Sequence, residues 1–222
     1  MIDITFDFET CALCPTAAVM SIGAVAWNRN ADGDPFGQWQ EGKEPMYKTF
    51  AMHVDLRSSF LDGFTFDKAT SDWWAKQNDE AKRAVLESDN ESSPCSPVQY
   101  VVSNFFDWII DVQHDTDFDD VNLWSQGTDF DVAILRNICD KYNMEIPVNY
   151  RNFRDHRTFF MEGARLLCDK SGAEFDPERA YLLVDQYEGA GEAHDPIFDC
   201  KKSIYSTWQM MKHLRCFGNN NE

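Results

Sequence analysis

The sequence predicts an α/β fold, a mixed sheet covered by helices, on three observations. The N-terminal part holds stretches of strict apolar/polar alternation or β-branched residues joined by short links. After residue 97 the apolar spacing switches between three-to-four and short continuous runs, the mark of alternating helices and strands. Hydrophobic residues make up 43% of the 222 residues and aromatics 14%, enough to bury a sizeable core.

Each element has its own signal. Ile2, Ile4, Phe6 and Phe8 alternate with Asp3, Thr5, Asp7 and Glu9, which is a strand with one fully apolar face. Val19 to Trp27 reads as a second strand, and Tyr47 to Val54 as a third after the turn-rich Asn28 to Gly42. Three early strands with short links predict an antiparallel start. Ser71 or Asp72 caps a helix expected through Trp73-Trp74 to about Leu86, and Glu87 to Ser96 reads as a polar loop. Ser96 with Pro97 opens a helix to about Val112, followed by an acidic connector to Asp120. Val121 to Ser125 is a short buried strand, and Asp129 to Tyr142 a helix with Val132, Leu135 and Cys139 on one stripe. A strand near Tyr150 to Phe153 and a helix from about Thr158 to Cys168 come next. Ser171 to Ala193 is glycine-rich, with a short helix near Pro177 to Leu183. The last helix starts at Pro196, with Asp195 as N-cap, and buries Ile197, Ile204, Trp208 and Met211. No repeat and no internal boundary stands out, so residues 1–222 are read as a single domain.

The net charge of −18, from 20 basic and 38 acidic residues, argues against a nonspecific coat on nucleic acid. Acidic clusters hold divalent cations instead, and a bound cation reverses the local field. The start lacks the basic and apolar parts of a signal peptide, and no run of eighteen apolar residues exists. A cytoplasmic protein with no membrane partner is expected. Seven cysteines at irregular spacing do not form a disulfide framework. Cys11-Ala-Leu-Cys14 has zinc-ligand spacing, but no second pair completes four ligands, so the thiols are read as reduced.

Three constellations carry chemistry. Asp7 and Glu9 leave the same face of one strand, where two carboxylates repel unless something compensates them. That face is either a polar, solvated edge or a site for Mg²⁺, which prefers hard oxygen ligands. Second, Trp124-Ser125-Gln126-Gly127-Thr128-Asp129-Phe130-Asp131 ends a strand, turns at glycine and opens a helix with acids in its first turn. In open α/β sheets ligands bind at such strand ends, though acids there also suit the helix dipole. Third, His194 precedes a helix start and Asp199 lies inside its first turns. A histidine of ordinary pKa, about 6.5, suits proton abstraction near neutrality. His114 and Asp119 have the same spacing, but they precede a strand pattern and read as a solvated acidic loop.

Together, Asp7-Phe8-Glu9-Thr10, Phe130-Asp131, and His194 with Asp199 resemble the DEDDh exonucleases of the DnaQ-like group. Ser21 to Ala26, Asp72-Trp73-Trp74-Ala75-Lys76-Gln77 and Arg154 to Thr158 are similar to its bacterial and phage branch of RNase AS-like and DexA-like enzymes. The resemblance implies an RNase H-like fold, a mixed five-stranded sheet flanked by helices. It also implies 3′→5′ hydrolysis of single-stranded DNA or RNA to nucleoside 5′-monophosphates, with two Mg²⁺ (or Mn²⁺) ions. Asp7 would bridge both ions, Glu9 and Asp199 would hold the first, and Asp131 would act mainly through water. His194 would deprotonate the attacking water. Thr10, Phe130, Trp74, Gln77 and Arg157 are the candidate substrate contacts. Trp73 is expected to pack inward while Trp74 is left open between packing and stacking. Arg154 and Arg157 either touch phosphate or offset the acidic surface. Relatives in the group are often homodimers, which leaves a homodimer open. A catalytically idle binding relative and an acidic mimic of DNA are the competing readings. All five catalytic positions are present, which speaks against the first, and the ordered motifs speak against the second.

Overall fold

A strand at the centre of a five-stranded sheet, β1 (Ile2–Thr10), organises the fold. It pairs antiparallel with β2 (Val19–Trp27), which pairs antiparallel with β3 (Thr49–His53). On its other side it runs parallel to β4 (Val121–Ser125), and β4 to β5 (Phe153–Asp155). The order β3-β2-β1-β4-β5 is the mixed α/β sheet that the sequence predicts, with the antiparallel start included. The helices are α1 (Leu56–Leu61), α2 (Lys68–Trp74), α3 (Asp79–Leu86), α4 (Val98–Thr116), α5 (Ala133–Tyr142), α6 (His156–Ser171) and α7 (Pro196–Gly218). This computed structural model describes residues 2–37, 48–86, 95–116 and 120–218.

Helices cover both faces of the sheet. The even-numbered residues of β1, Ile2, Ile4, Phe6 and Phe8, join Val101, Val102, Phe105 and Ile109 of α4 and Ile134 and Ile138 of α5 in one core. Full burial of such side chains stabilises by about 1.5–3 kcal/mol each relative to exposure. The odd-numbered residues face α7, whose Ile204, Trp208 and Met211 pack with Val25, Trp27 and Trp124. Alternation on β1 therefore separates an apolar core from a polar, partly buried face. Asp3 is buried there because Arg29, Asn122 Nδ2 (3.1 Å) and Trp124 Nε1 (2.7 Å) all donate to it. Gly23 of β2 lets α7 approach: an added Cβ would lie 2.7 Å from the Pro196 carbonyl carbon. That contact fixes where α7 begins.

Several boundaries differ from the sequence expectation. The helix expected from Ser71 or Asp72 to Leu86 is two helices. Asp67 caps α2 by accepting from Thr70 N at 3.0 Å, so Ser71 and Asp72 lie inside it, and Asn78 Oδ1 accepts from Ala81 N at 2.7 Å to start α3. The segment read as an acidic connector begins later, because α4 runs to Thr116. Val112 and Thr116 continue its buried face, and Thr116 Oγ1 donates to the Val112 carbonyl at 2.6 Å. His114 is thus an exposed helix residue and not part of a loop, while Asp119 lies outside the described residues. The third strand is shorter than expected, with Val54 in an isolated bridge to Ser96 and Tyr47 outside the described residues, as is most of the polar loop after Leu86. Tyr150–Asn152 is a 3₁₀ turn, started by the Asn149 side chain accepting from Arg151 N, and the strand follows it. The short helix expected near Pro177 to Leu183 is a 3₁₀ turn at Ala180–Leu183.

Candidate active site

The polar face of β1 changes character along the strand. Asp3 is matched by Arg29, and Thr5 Oγ1 shares a hydrogen bond with His156 Nε2 at 2.8 Å. Asp7 and Glu9 come next, and among the described residues the charges that act on them most are those of other carboxylates. Asp131 arrives on a wide π-helical turn, Thr128–Val132, between β4 and α5. It is buried, and its Oδ1 accepts from Phe8 N at 3.1 Å, which ties the turn to β1. Asp199 arrives on the first turn of α7, where Asp195 Oδ1 accepts from Ile197 N at 2.8 Å as the predicted N-cap.

His194 precedes that cap with φ at +71°, and its backbone N–H donates to Asp199 Oδ2 at 3.1 Å. The bond turns the chain so that the imidazole folds back over the carboxylates. Ligand atoms of Glu9, His194 and Asp199 all lie within 4.8 Å of one another. The ring of His194 meets Trp73 edge to face at 4.8 Å between centroids, and Trp74 at 5.7 Å.

The electrostatics are those of a crowded anionic site. Burial raises the Asp7 carboxyl well above its usual range, and the charges of Asp131, Glu9 and Asp199 raise it further. Burial raises Glu9 to about 8, helped by Asp199, Asp131 and Asp195. Burial raises Asp131 to about 7 against the pull of its backbone N–H bonds and of Arg157. Asp199 is raised by burial although the His194 N–H and charge and Lys202 oppose the shift. Four half-buried or buried carboxylates and an imidazole, opposed only in part by Arg157 and Lys202, form a hard-oxygen donor set that fits a divalent ion. At neutral pH such a set holds protons or a metal.

A cavity of about 470 Å³ opens beside Glu9, walled by Phe8, Thr10, Leu13, Trp73, Trp74 and Phe130. It contains three of the predicted substrate contacts. Thr10 Oγ1 donates to the Ala12 carbonyl, and the Thr10 carbonyl accepts from Trp74 Nε1 at 3.0 Å. That bond half-buries Trp74 and leaves Trp73 the more exposed ring at 42%, the reverse of the expected packing of Trp73. Gln77 lies past the end of α2, its Nε2 donating to the Trp73 carbonyl at 3.2 Å. Arg157 is exposed on α6, close enough to Asp131 to lower its pKa. Arg154 Nη1 donates to the Phe153 carbonyl. The involvement of Trp73 with His194 is missing from the sequence reading, because the contact joins a helix to a loop far along the chain. Cys11 and Cys14 are half-buried free thiols.

A five-stranded sheet of this order, with acids at the end of its central strand and a histidine ahead of the closing helix, is the architecture of a DEDDh exonuclease. The Rv2179c-like 3′-5′ exoribonuclease domain family matches residues 2–204, and the chain belongs to that family. The exodeoxyribonuclease of Enterobacteria phage T4 is 27% identical over 96% of this chain and 88% of its own length. Two solved structures share the fold. Cell-death related nuclease 4 (CRN-4) aligns over 96% of this chain at 16% identity and a TM-score of 0.59, and the chain spans 64% of it. The nuclease domain of 3′hExo, a DEDDh family member bound to rAMP, aligns over 96% of this chain and 92% of its own at 12% identity and a TM-score of 0.53. Among the described residues no helix is long and apolar enough to cross a membrane.

Proposed function

We propose that the protein is a metal-dependent 3′→5′ exonuclease that releases nucleoside 5′-monophosphates from single-stranded DNA or RNA. The observation that carries this reading is the convergence of Glu9, His194 and Asp199 beside Asp7 and Asp131. Asp7, Glu9, Asp131 and Asp199 would hold two Mg²⁺ or Mn²⁺ ions. When bound, the ions neutralise the phosphate and stabilise the attacking and leaving oxygens of an in-line displacement. His194 takes the proton of the attacking water. The water oxygen bonds to phosphorus, the bond to the 3′ oxygen of the preceding nucleotide breaks, and that oxygen collects a proton from solvent. The terminal nucleotide occupies the aromatic cavity, where base stacking on Phe130, Trp73 or Trp74 contributes about 1–3 kcal/mol whatever the base. Thr10, Gln77 and Arg157 are assigned to the sugar-phosphate. We assign residues 1–222 to one catalytic domain acting in the cytoplasm.

The test is a digestion panel of 3′-labelled RNA and DNA, single and double stranded, with Mg²⁺, Mn²⁺ or chelator. Metal-dependent release of mononucleotides from single strands is the expected result. No digestion under any of these conditions would leave the idle relative as the reading, and a preference for one sugar would decide between RNA and DNA.

A further inference from the structure

A second cleft, of about 510 Å³, opens from the same carboxylates on the side of Asp7 and Asp199. It shares no lining residue with the aromatic cavity. Its volume is within the range of small-ligand pockets, roughly 300–1,000 Å³. Its floor is the buried ring of His156, whose Nδ1 shares a 2.7 Å hydrogen bond with Thr207 Oγ1. Its mouth is polar, formed by Gln126 after β4, Gln186 before α7, and Lys202 and Ser203 on α7. The Gln186 Nε2 donates to the Tyr181 carbonyl at 3.1 Å, which holds this amide at the rim.

The two cavities differ in chemistry as the two sides of a scissile phosphate differ. Stacking walls suit a terminal base, whereas amides, hydroxyls and an ammonium suit a sugar and a phosphate. Charge supplies the second argument. The chain carries −18, and a polyanion that reaches an acidic site needs a cation along its path. Among the described residues lining the two cavities, Lys202 alone is a cation, and it is exposed.

Resting on the nuclease reading above, we propose that this cleft binds the second nucleotide from the 3′ end. Gln126 and Gln186 contact its sugar or base edge. Lys202 pairs with the phosphate on its 5′ side, the phosphate linking it to the rest of the strand. The enzyme thereby recognises two phosphates, the one it cleaves and the next.

The experiment is a cycle of two enzymes and two dinucleotides, with and without a 5′-phosphate, assayed at saturating Mg²⁺. In the wild type the 5′-phosphate raises kcat/KM about 10-fold, the size of one charge-assisted hydrogen bond. In Lys202→Gln the 5′-phosphate gives no gain. A change that Lys202→Gln causes through neighbouring Asp199 acts on both dinucleotides and cancels in the ratio. Equal 5′-phosphate gains in the two enzymes, or no gain in the wild type, would overturn the assignment. Thymidine 5′-(p-nitrophenyl phosphate), which has no second nucleotide, separates the two readings. Its hydrolysis by the wild type keeps the nuclease reading even when the cleft assignment fails. No hydrolysis of this ester or of either dinucleotide would remove both.

Discussion

His194 has the φ value, +71°, that a non-glycine residue keeps only where its surroundings hold it. Two things hold it here, the N–H bond to Asp199 and the edge of Trp73 against the ring. Each residue should therefore leave a different trace when changed. His194→Ala is expected to lower kcat by roughly 10²–10⁴-fold, the usual share of a general base, while calorimetry still detects metal binding. Asp7→Ala is expected to abolish both activity and metal binding, since Asp7 adjoins Glu9, Asp131 and Asp199; unchanged activity would sink the metal assignment. Trp73→Ala frees the imidazole and removes a cavity wall, so kcat should fall and KM rise, together about 10–100-fold in kcat/KM. Trp73→Phe retains an aromatic edge and should recover most of kcat. Equal activity of all three proteins would show that the ring contact is incidental.

At the scale of elements, the start of α7 is set by a missing side chain on β2. Gly23→Ala would force Pro196 away and shift Asp199, three residues on. Overpacking of this kind costs about 1–3 kcal/mol, which a urea titration reads as a lower midpoint, and activity should fall further than stability alone explains. Parts of this arrangement are legible in the sequence because they follow local rules. Alternation on β1 puts Asp7 and Glu9 on one face, and Asp195 announces the cap of α7. The break between α2 and α3 is not legible from apolar spacing, since it depends on Asp67 and Asn78 outcompeting Ser71 and Asp72 as caps. The extension of α4 past Val112 rests on tertiary burial of Thr116, which no local pattern reports. The inward tryptophan of α2 is chosen by a bond to the Thr10 carbonyl, 64 positions away, which no local pattern reports, so the expectation that Trp73 packs inward names the wrong ring. The cleft beside Lys202 collects residues from five separate segments, and its existence is a property of the folded chain alone.

At the scale of the whole molecule, protons or metal offset most of the repulsion among the carboxylates of the site. Glu9 is raised from 4.5 to about 8 and Asp131 from 3.8 to about 7. A raised folded-state pKa gives stability that is fully present below the unfolded value and is lost as pH rises through the folded one. The buried His156, lowered from 6.5 to about 3, acts in the opposite sense, and its contribution fades as pH falls below about 6.5. Between pH 6.5 and 8 the carboxylates therefore dominate, and the metal-free protein should lose roughly 2 kcal/mol of stability. Melting curves with chelator test this, and saturating Mg²⁺ should flatten the slope. Glu9→Gln should be more stable than the wild type at pH 8 without metal and should gain less from Mg²⁺. A metal-free slope that rises with pH would contradict the burial of these groups. The same distribution of acids along the chain has a consequence in time. Cys200 Sγ donates to the Thr5 carbonyl across 195 positions, so the strand bearing Asp7 meets the helix bearing Asp199 only after almost two hundred further residues have been made. At roughly 5–20 residues per second, roughly 10–40 s pass between the making of the first carboxylate and the last. Throughout that interval the growing chain lies beside a messenger and a ribosome built of polynucleotide, and without Asp199 its set of carboxylates is incomplete.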